Sequence, residues 1–181
     1  NVFSGFQDPM DLDTLPVTHN GKRLKPEKHY QTWAKGDVMV FGDGFAKVTV
    51  KAPLKGRIVQ SFSLQTETGY GIIEVRDEGS VEVEVESGNR FEVLTPAAIA
   101  GVQGTRFSVE LAGDGEMTAV SVFEGAVHVD NRVGGADFEA RVLTDKPGDQ
   151  KEMRVITKRL FKRLPPGLRK QWWRKQKQLR K

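Results

Sequence analysis

From about Asp37 to Leu143 the apolar residues fall in short runs or strict alternation, and no stretch keeps the 3.6-residue period of an amphipathic helix. Val81-Glu82-Val83-Glu84-Val85 alternates most strictly, with one apolar and one charged face. The pattern predicts strands over Val38–Phe41, Ala46–Val50, Arg57–Leu64, Ile72–Val75, Val81–Val85, Arg90–Leu94, Arg106–Leu111, Thr118–Phe123, Ala126–Val129 and Phe138–Leu143. These segments are rich in Val, Phe and Thr and are parted by Gly, Asp, Asn and Ser. Gly42-Asp43-Gly44 and Gly113-Asp114-Gly115 read as hairpin turns, since they lack the Lys-Ser/Thr of a phosphate loop and the closing acid of a calcium loop.

The two ends follow other rules. Residues 1–35 show no sustained period and read as an extended leader, whose Phe3 and Phe6 could dock on the body or a neighbour. Residues 36–145 form the all-β body. Residues 146–181 read as a basic helical arm, with Leu160, Leu164, Leu168 and Trp172 at i+4 spacing on one face. Pro165-Pro166 must interrupt that helix, and Pro166 suits the first position of a second one. Within the body, Arg90-Phe91-Glu92-Val93 recurs as Arg106-Phe107-Ser108-Val109, 16 residues on. Short strands at such spacing fit either a sandwich or a few coils of a β-solenoid, and the recurrence tilts the reading toward the solenoid.

Composition sharpens the division. The 181 residues carry 28 Lys and Arg against 24 Asp and Glu, a net charge of +4. Residues 151–181 alone hold 13 of the cations and one acid, Glu152, a net of +12. By subtraction, residues 1–150 hold 15 cations and 23 acids, a net of −8. An acidic body with a basic arm implies that the arm meets something negative. The absence of cysteine excludes thiol catalysis, disulfides and Cys-ligated metal. No apolar stretch approaches the 18 or so residues that span a bilayer. The chain opens at Asn1 without a basic and apolar leader, so a targeting signal is expected to have been removed or to lie outside this stretch.

Candidate chemistry is sparse. Of the three histidines, His128 alternates with Val127 and Val129 toward the solvated face, while His19 and His29 have no partner at ligand spacing. A metal or catalytic role is not expected for any of them. Glu82, Glu84 and Glu86 share one strand face, where they splay about 7 Å apart, too flat for calcium. They suit a solvated face that resists edge pairing, or a docking face for a basic arm. With no nucleophile, zinc or paired-acid motif, catalysis has no visible carrier. A hydrolase would show itself only as activity on wall polymers lost on mutating Glu82 or Glu84.

Phe91-Glu92-Val93-Leu94-Thr95-Pro96, followed by Val102-Gln103-Gly104-Thr105-Arg106-Phe107-Ser108-Val109, resembles the signature of FecR-type domains. Thr118-Ala119-Val120-Ser121-Val122 and Glu124-Gly125-Ala126-Val127-His128-Val129 resemble its closing part. The likeness covers residues 91–129, extends more loosely back to about Gly36, and does not reach 1–35 or 144–181. On the residues alone, Thr95-Pro96 ends a strand, Gly104 and Gly125 turn corners, and Phe91, Val93, Val102, Phe107, Val109, Val120 and Val127 supply core, with Thr105 restarting a strand. Such a signature specifies a fold and no chemistry.

The resemblance implies a bacterial envelope protein, a periplasmic all-β module. In iron-uptake regulators such domains receive a signal from an outer-membrane receptor and relay it to a sigma factor; elsewhere they serve binding and assembly. The regulator architecture adds an N-terminal cytoplasmic segment and a membrane helix, which these residues lack, so a standalone module or an excised ectodomain is expected.

In that setting Lys162, Arg163, Arg169, Lys170, Trp172, Trp173, Arg174 and Lys175 form the candidate partner site, with Glu82, Glu84 and Glu86 as its counterpart on another copy. Envelope proteins and further copies of the chain are the expected partners, then an anionic membrane surface or wall polymer; nucleic acid is the least favoured. No cofactor is expected. The reading is a non-catalytic assembly subunit or adaptor, with the receptor-binding signalling module as the alternative.

Overall fold

The computed structural model describes residues 12–24, 28–64, 67–131, 141–144 and 151–178. In chain order the strands are β1 (Leu12–Thr14), β2 (Val17–His19), β3 (Lys22–Leu24), β4 (Gln31–Trp33), β5 (Val38–Phe41), β6 (Ala46–Ala52), β7 (Leu54–Leu64) and β8 (Gly69–Arg76). They continue as β9 (Gly79–Val85), β10 (Arg90–Leu94), β11 (Ala98–Gln103), β12 (Arg106–Ala112), β13 (Met117–Glu124), β14 (Ala126–Asn131), β15 (Arg141–Thr144) and β16 (Glu152–Ile156). Two helices close the order, α1 (Lys158–Arg163) and α2 (Pro166–Gln178).

The strands form two sheets. Sheet A runs β1-β7-β8-β10-β11-β14-β15, with β4 beside β1 on the free edge of β7, and sheet B runs β16-β13-β12-β9-β6-β5-β2-β3. Their inward residues make one core, which includes Phe41, Val48, Val83, Phe91, Phe107, Val109 and Val127. Among the described residues every ladder is antiparallel except β8–β10. A solenoid stacks successive coils in parallel, so the architecture is a sandwich, and the 16-residue recurrence has another meaning. It places Phe91 in sheet A and Phe107 in sheet B, both buried in the shared core.

The two ends belong to this sandwich more than their sequence suggests. Within the stretch read as an extended leader, β1 and β4 pair β7 in sheet A, and β2 and β3 extend sheet B. Val17 and Trp33 are core residues. These strands have three residues each, too short to print an alternation, and they are held by neighbours distant in sequence. Phe3 and Phe6 lie outside the described residues. At the other end, β16 lies inside the stretch read as helical arm; it pairs β13 and buries Met153, Val155 and Ile156. The helices follow, broken at Leu164-Pro165 as the prolines require, with Leu164 in extended backbone and Pro166 opening α2.

Glycines make room for the aromatic core. A Cβ on Gly71 would stand 2.7 Å from the Phe91 ring, one on Gly69 2.6 Å from Phe45, and one on Gly56 2.4 Å from Trp33. Phe91 in turn meets Phe41 of sheet B edge to face, with centroids 4.9 Å apart. The signature hydroxyls join strands too. Thr95 Oγ1 accepts from the Ala97 and Ala98 amides at 3.2 and 2.9 Å and lies 2.8 Å from Thr118 Oγ1 of sheet B. Thr105 donates to the Glu124 carbonyl across the corner that Gly125, at φ +86°, turns.

Candidate functional site

Sheet A presents a structured outer face. Its outward residues form cross-strand rows: Phe62, Tyr70, Arg90 and Gln103 in one, Gln60, Ile72, Glu92, Gly101 and His128 in the next, and Arg57, Glu74, Leu94, Ile99 and Asp130 in the third. Tyr70, Ile72, Glu74, Glu92, Leu94 and Ile99 are all half-buried, although among the described residues no further sheet packs over them. Two tyrosine–carboxylate pairs fix the polar members. Tyr30 donates its phenol hydrogen to Glu74, whose other oxygen accepts from Arg57 Nη2 at 2.8 Å. The Arg76 guanidinium stacks 3.7 Å from the Tyr30 ring centroid. Tyr70 donates to Glu92 and stacks on Phe62, rings 5.1 Å apart and 8° from parallel.

The electrostatics follow from these pairs. Burial first, then the Glu74 carboxylate, raises the Tyr30 phenol above its ordinary range. Burial and Glu92 raise Tyr70 further. Glu74 also holds the Arg57 guanidinium more firmly charged. Beside Tyr70 lies a depression of about 490 Å³ lined by Arg90, Glu92, Gly101, Gln103 and His128. With the Gln103 amide turned to accept, Arg90 donates to it through Nε and Nη2 at 2.9 and 3.1 Å. Gly101 forms the floor. Its φ is not positive, and a Cβ there would meet only Glu92 Cγ at 3.8 Å, so neither backbone nor packing demands glycine. The missing side chain shapes the surface.

The acidic face expected as the arm's counterpart lies on sheet B, with cations of the same sheet beside Glu82 and Glu84. Glu82 is 3.6 Å from Lys51 Nζ, and Glu84 stands in register between Lys47 of β6 and Arg106 of β12. Glu86 is exposed just past the end of β9, its amide bound to the Phe45 carbonyl.

The arm finds its first acid within its own chain. Thr157 caps α1 by accepting from the Leu160 amide. Arg163 then bonds Glu116 of the β12–β13 turn, and Arg159 Nε lies 3.6 Å from the same carboxylate. The Thr157 amide adds a 2.8 Å bond to the Glu116 carbonyl. Arg169 Nε donates to the Leu164 carbonyl at 2.8 Å and so fixes the corner between the helices. Lys162, Lys170 and Arg174 are exposed. Trp172, Trp173 and Lys175 are placed on α2, but their side chains lie outside those described. Sequence reasoning passed over Glu116 because a lone acid in a turn carries no pattern.

The histidines stay apart. His19 Nε2 lies 2.9 Å from Asp37, a partner that only the fold supplies, and Asn20 ties the same carboxylate at 3.0 Å. The Asn20 bond first of all holds the Asp37 carboxyl below the usual range. His128 lies 3.6 Å from Asp130, and His29 is exposed. Among the described residues, no three His, Asp or Glu side chains gather around one metal position, and no helix is long and apolar enough to cross a membrane.

The chain is similar to two crystal structures of a putative anti-sigma factor from Parabacteroides distasonis. One shows 20% identity and a TM-score of 0.46 over 78% of this chain and 60% of that one; the other shows 21% and 0.47 over 77% and 60%. The chain thus spans about 60% of the length of the solved chains it matches. No curated protein matches it. A model of the family described as FecR protein matches residues 59–128, from within β7 into β14. The resemblance carried by the Thr95-Pro96 and Gly104-Thr105 signature is therefore borne out over residues 59–128, the stretch that the FecR family model matches.

Proposed function

We propose that the chain is a non-catalytic signalling module of the bacterial periplasm, which binds an outer-membrane receptor and acts in sigma-factor regulation. The observation that carries this reading is the FecR match over residues 59–128. FecR proteins are envelope-associated, and the matched stretch supplies most of sheet A's outer face. In this reading Ile72, Leu94 and Ile99 give the receptor apolar area, and the tyrosine–carboxylate pairs hold the surrounding polar groups in place before it arrives.

The test is genetic and uses the full chain. Transcripts are compared among the wild type, a deletion, an outer-face variant of sheet A (Ile72→Asp with Leu94→Asp) and one of sheet B (Glu82→Lys with Glu84→Lys). Deletion and the sheet A variant should change one discrete sigma-dependent set, and the sheet B variant should leave it alone. Unchanged transcription on deletion would end the signalling reading.

An assembly subunit is the second reading, favoured by the exposed cations and Leu168 of α2. Light scattering of the full chain at low and high salt tests it. A discrete large species that salt dissolves supports assembly through charge, and a monomer throughout counts against self-assembly.

A further inference from the structure

α2 stands out from the rest of the chain. It has 13 residues, and all its described side chains are exposed except Arg169, which is half-buried. Leu168, a residue that ordinarily faces a core, is 48% exposed. No acid occurs between Glu152 and Lys181, so no side chain of α2 itself offsets Arg169, Lys170, Arg174, Lys175 and Lys177. Among the described residues, the ion pairs between body and helices lie in α1, where Glu116 takes Arg159 and Arg163.

We propose that α2 lies in the headgroup layer of a bilayer rich in anionic lipid. Helical geometry separates this occupant from an acidic protein. At 100° per residue, Leu168 and Trp172 lie about 40° apart and Trp173 about 100° further round, with Arg169 between the two indoles, Lys175 beside Leu168, and Lys170, Arg174 and Lys177 on the far side. A protein groove meets one side of a helix. A headgroup layer wraps its flanks, takes Leu and Trp into the acyl boundary and reaches cations on both sides. Asp77, Glu78 and Asp114 lie near the same end of the sandwich as Glu116. They oppose close approach of the body, so α2 makes the contact and the sandwich stands off.

The experiment is sedimentation of the full chain with vesicles of equal phosphatidylglycerol and phosphatidylcholine, and with phosphatidylcholine alone. Tryptophan emission is followed, with the core residue Trp33 as the constant background. The anionic vesicles should bind and shift the emission to the blue. Lys170→Glu with Arg174→Glu should weaken partitioning by at least about tenfold, as should raising salt to roughly 0.5 M. Leu168→Ser should weaken it less, by a few-fold. Both sets of substitutions are at exposed positions, and unchanged far-UV dichroism shows that the fold persists. Anionic vesicles binding no better than neutral ones would overturn the proposal. So would equal binding to soluble polyphosphate or poly-glutamate with no blue shift, which assigns the helix to a polyanion or an acidic protein.

Discussion

The two outer faces of the sandwich are built from the same alternation but differ in what holds their side chains. On sheet B the outward residues are mostly Lys, Glu, Ser and Thr, and Glu82 meets Lys51 across a water-exposed 3.6 Å gap. On sheet A, Tyr30, Arg57 and Glu74 interlock while Ile72, Leu94 and Ile99 remain half-buried among them. Sheet B is a solvated surface, whose ion pairs contribute little because water competes for both partners. Sheet A's outer face is preorganised: Tyr30, Glu74 and Arg57, and Tyr70 with Glu92, already hold one another, so a visitor meets fixed groups and loses less freedom in ordering them. A strand face presented to solvent can therefore resemble an interface before anything binds.

The contrast between inward and outward glycines of sheet A should give the largest effect. Gly71→Ala forces a methyl to within 2.7 Å of Phe91 and should cost about 2–3 kcal/mol in denaturant unfolding. Gly101→Ala should change stability by no more than about 0.5 kcal/mol, since the space is open. If the two cost the same, the open floor is no surface feature.

Glu74→Ala comes next. It strands the half-buried Arg57 and the Tyr30 hydroxyl and should cost about 2 kcal/mol. A midpoint unchanged from wild type would mean that the cluster rests on the surface without stiffening it. Alkali should separate the faces further. Tyr30 and Tyr70 both have folded pKa values raised above the unfolded value. Their contribution is fully present below about pH 10 and is lost as pH rises through the folded pKa. Tyr70→Phe should flatten that alkaline slope in a pH series of unfolding midpoints; an unchanged slope would remove Tyr70 from the account. The smallest effect belongs to sheet B, where Glu82→Gln should shift stability by at most about 0.5 kcal/mol.

Most of the sandwich was legible from alternation. Val38–Phe41 and Arg90–Leu94 form with the bounds that the pattern set. β11 was missed because Ala98-Ile99-Ala100-Gly101 has weak strand preference; it exists because β10 and β14 pair it from both sides. The outer face of sheet A was hidden by an inversion. In β8, Gly69 and Gly71 face inward and the larger Tyr70 and Ile72 face outward, because Phe45 and Phe91 fill the volume under the glycines. Reading bulk as burial therefore points the strand the wrong way. The basic arm was visible as charge, but its tether to Glu116 was not, since a single acid 43 residues before Arg159 gives no local signal.

The pairing of β1 with β7 bears on how this chain acquires its shape. Leu12 is matched with Leu64, and at the other end β13 is matched with β16, Met117 opposite Ile156. The first strand therefore waits for a partner some fifty residues downstream, and one edge of sheet B closes only when residues near 156 are available. So much non-local pairing places folding in the millisecond-to-second range. A ribosome or a translocation channel still holding β16 would leave sheet B open at that edge, with β13 exposed to any other strand in reach.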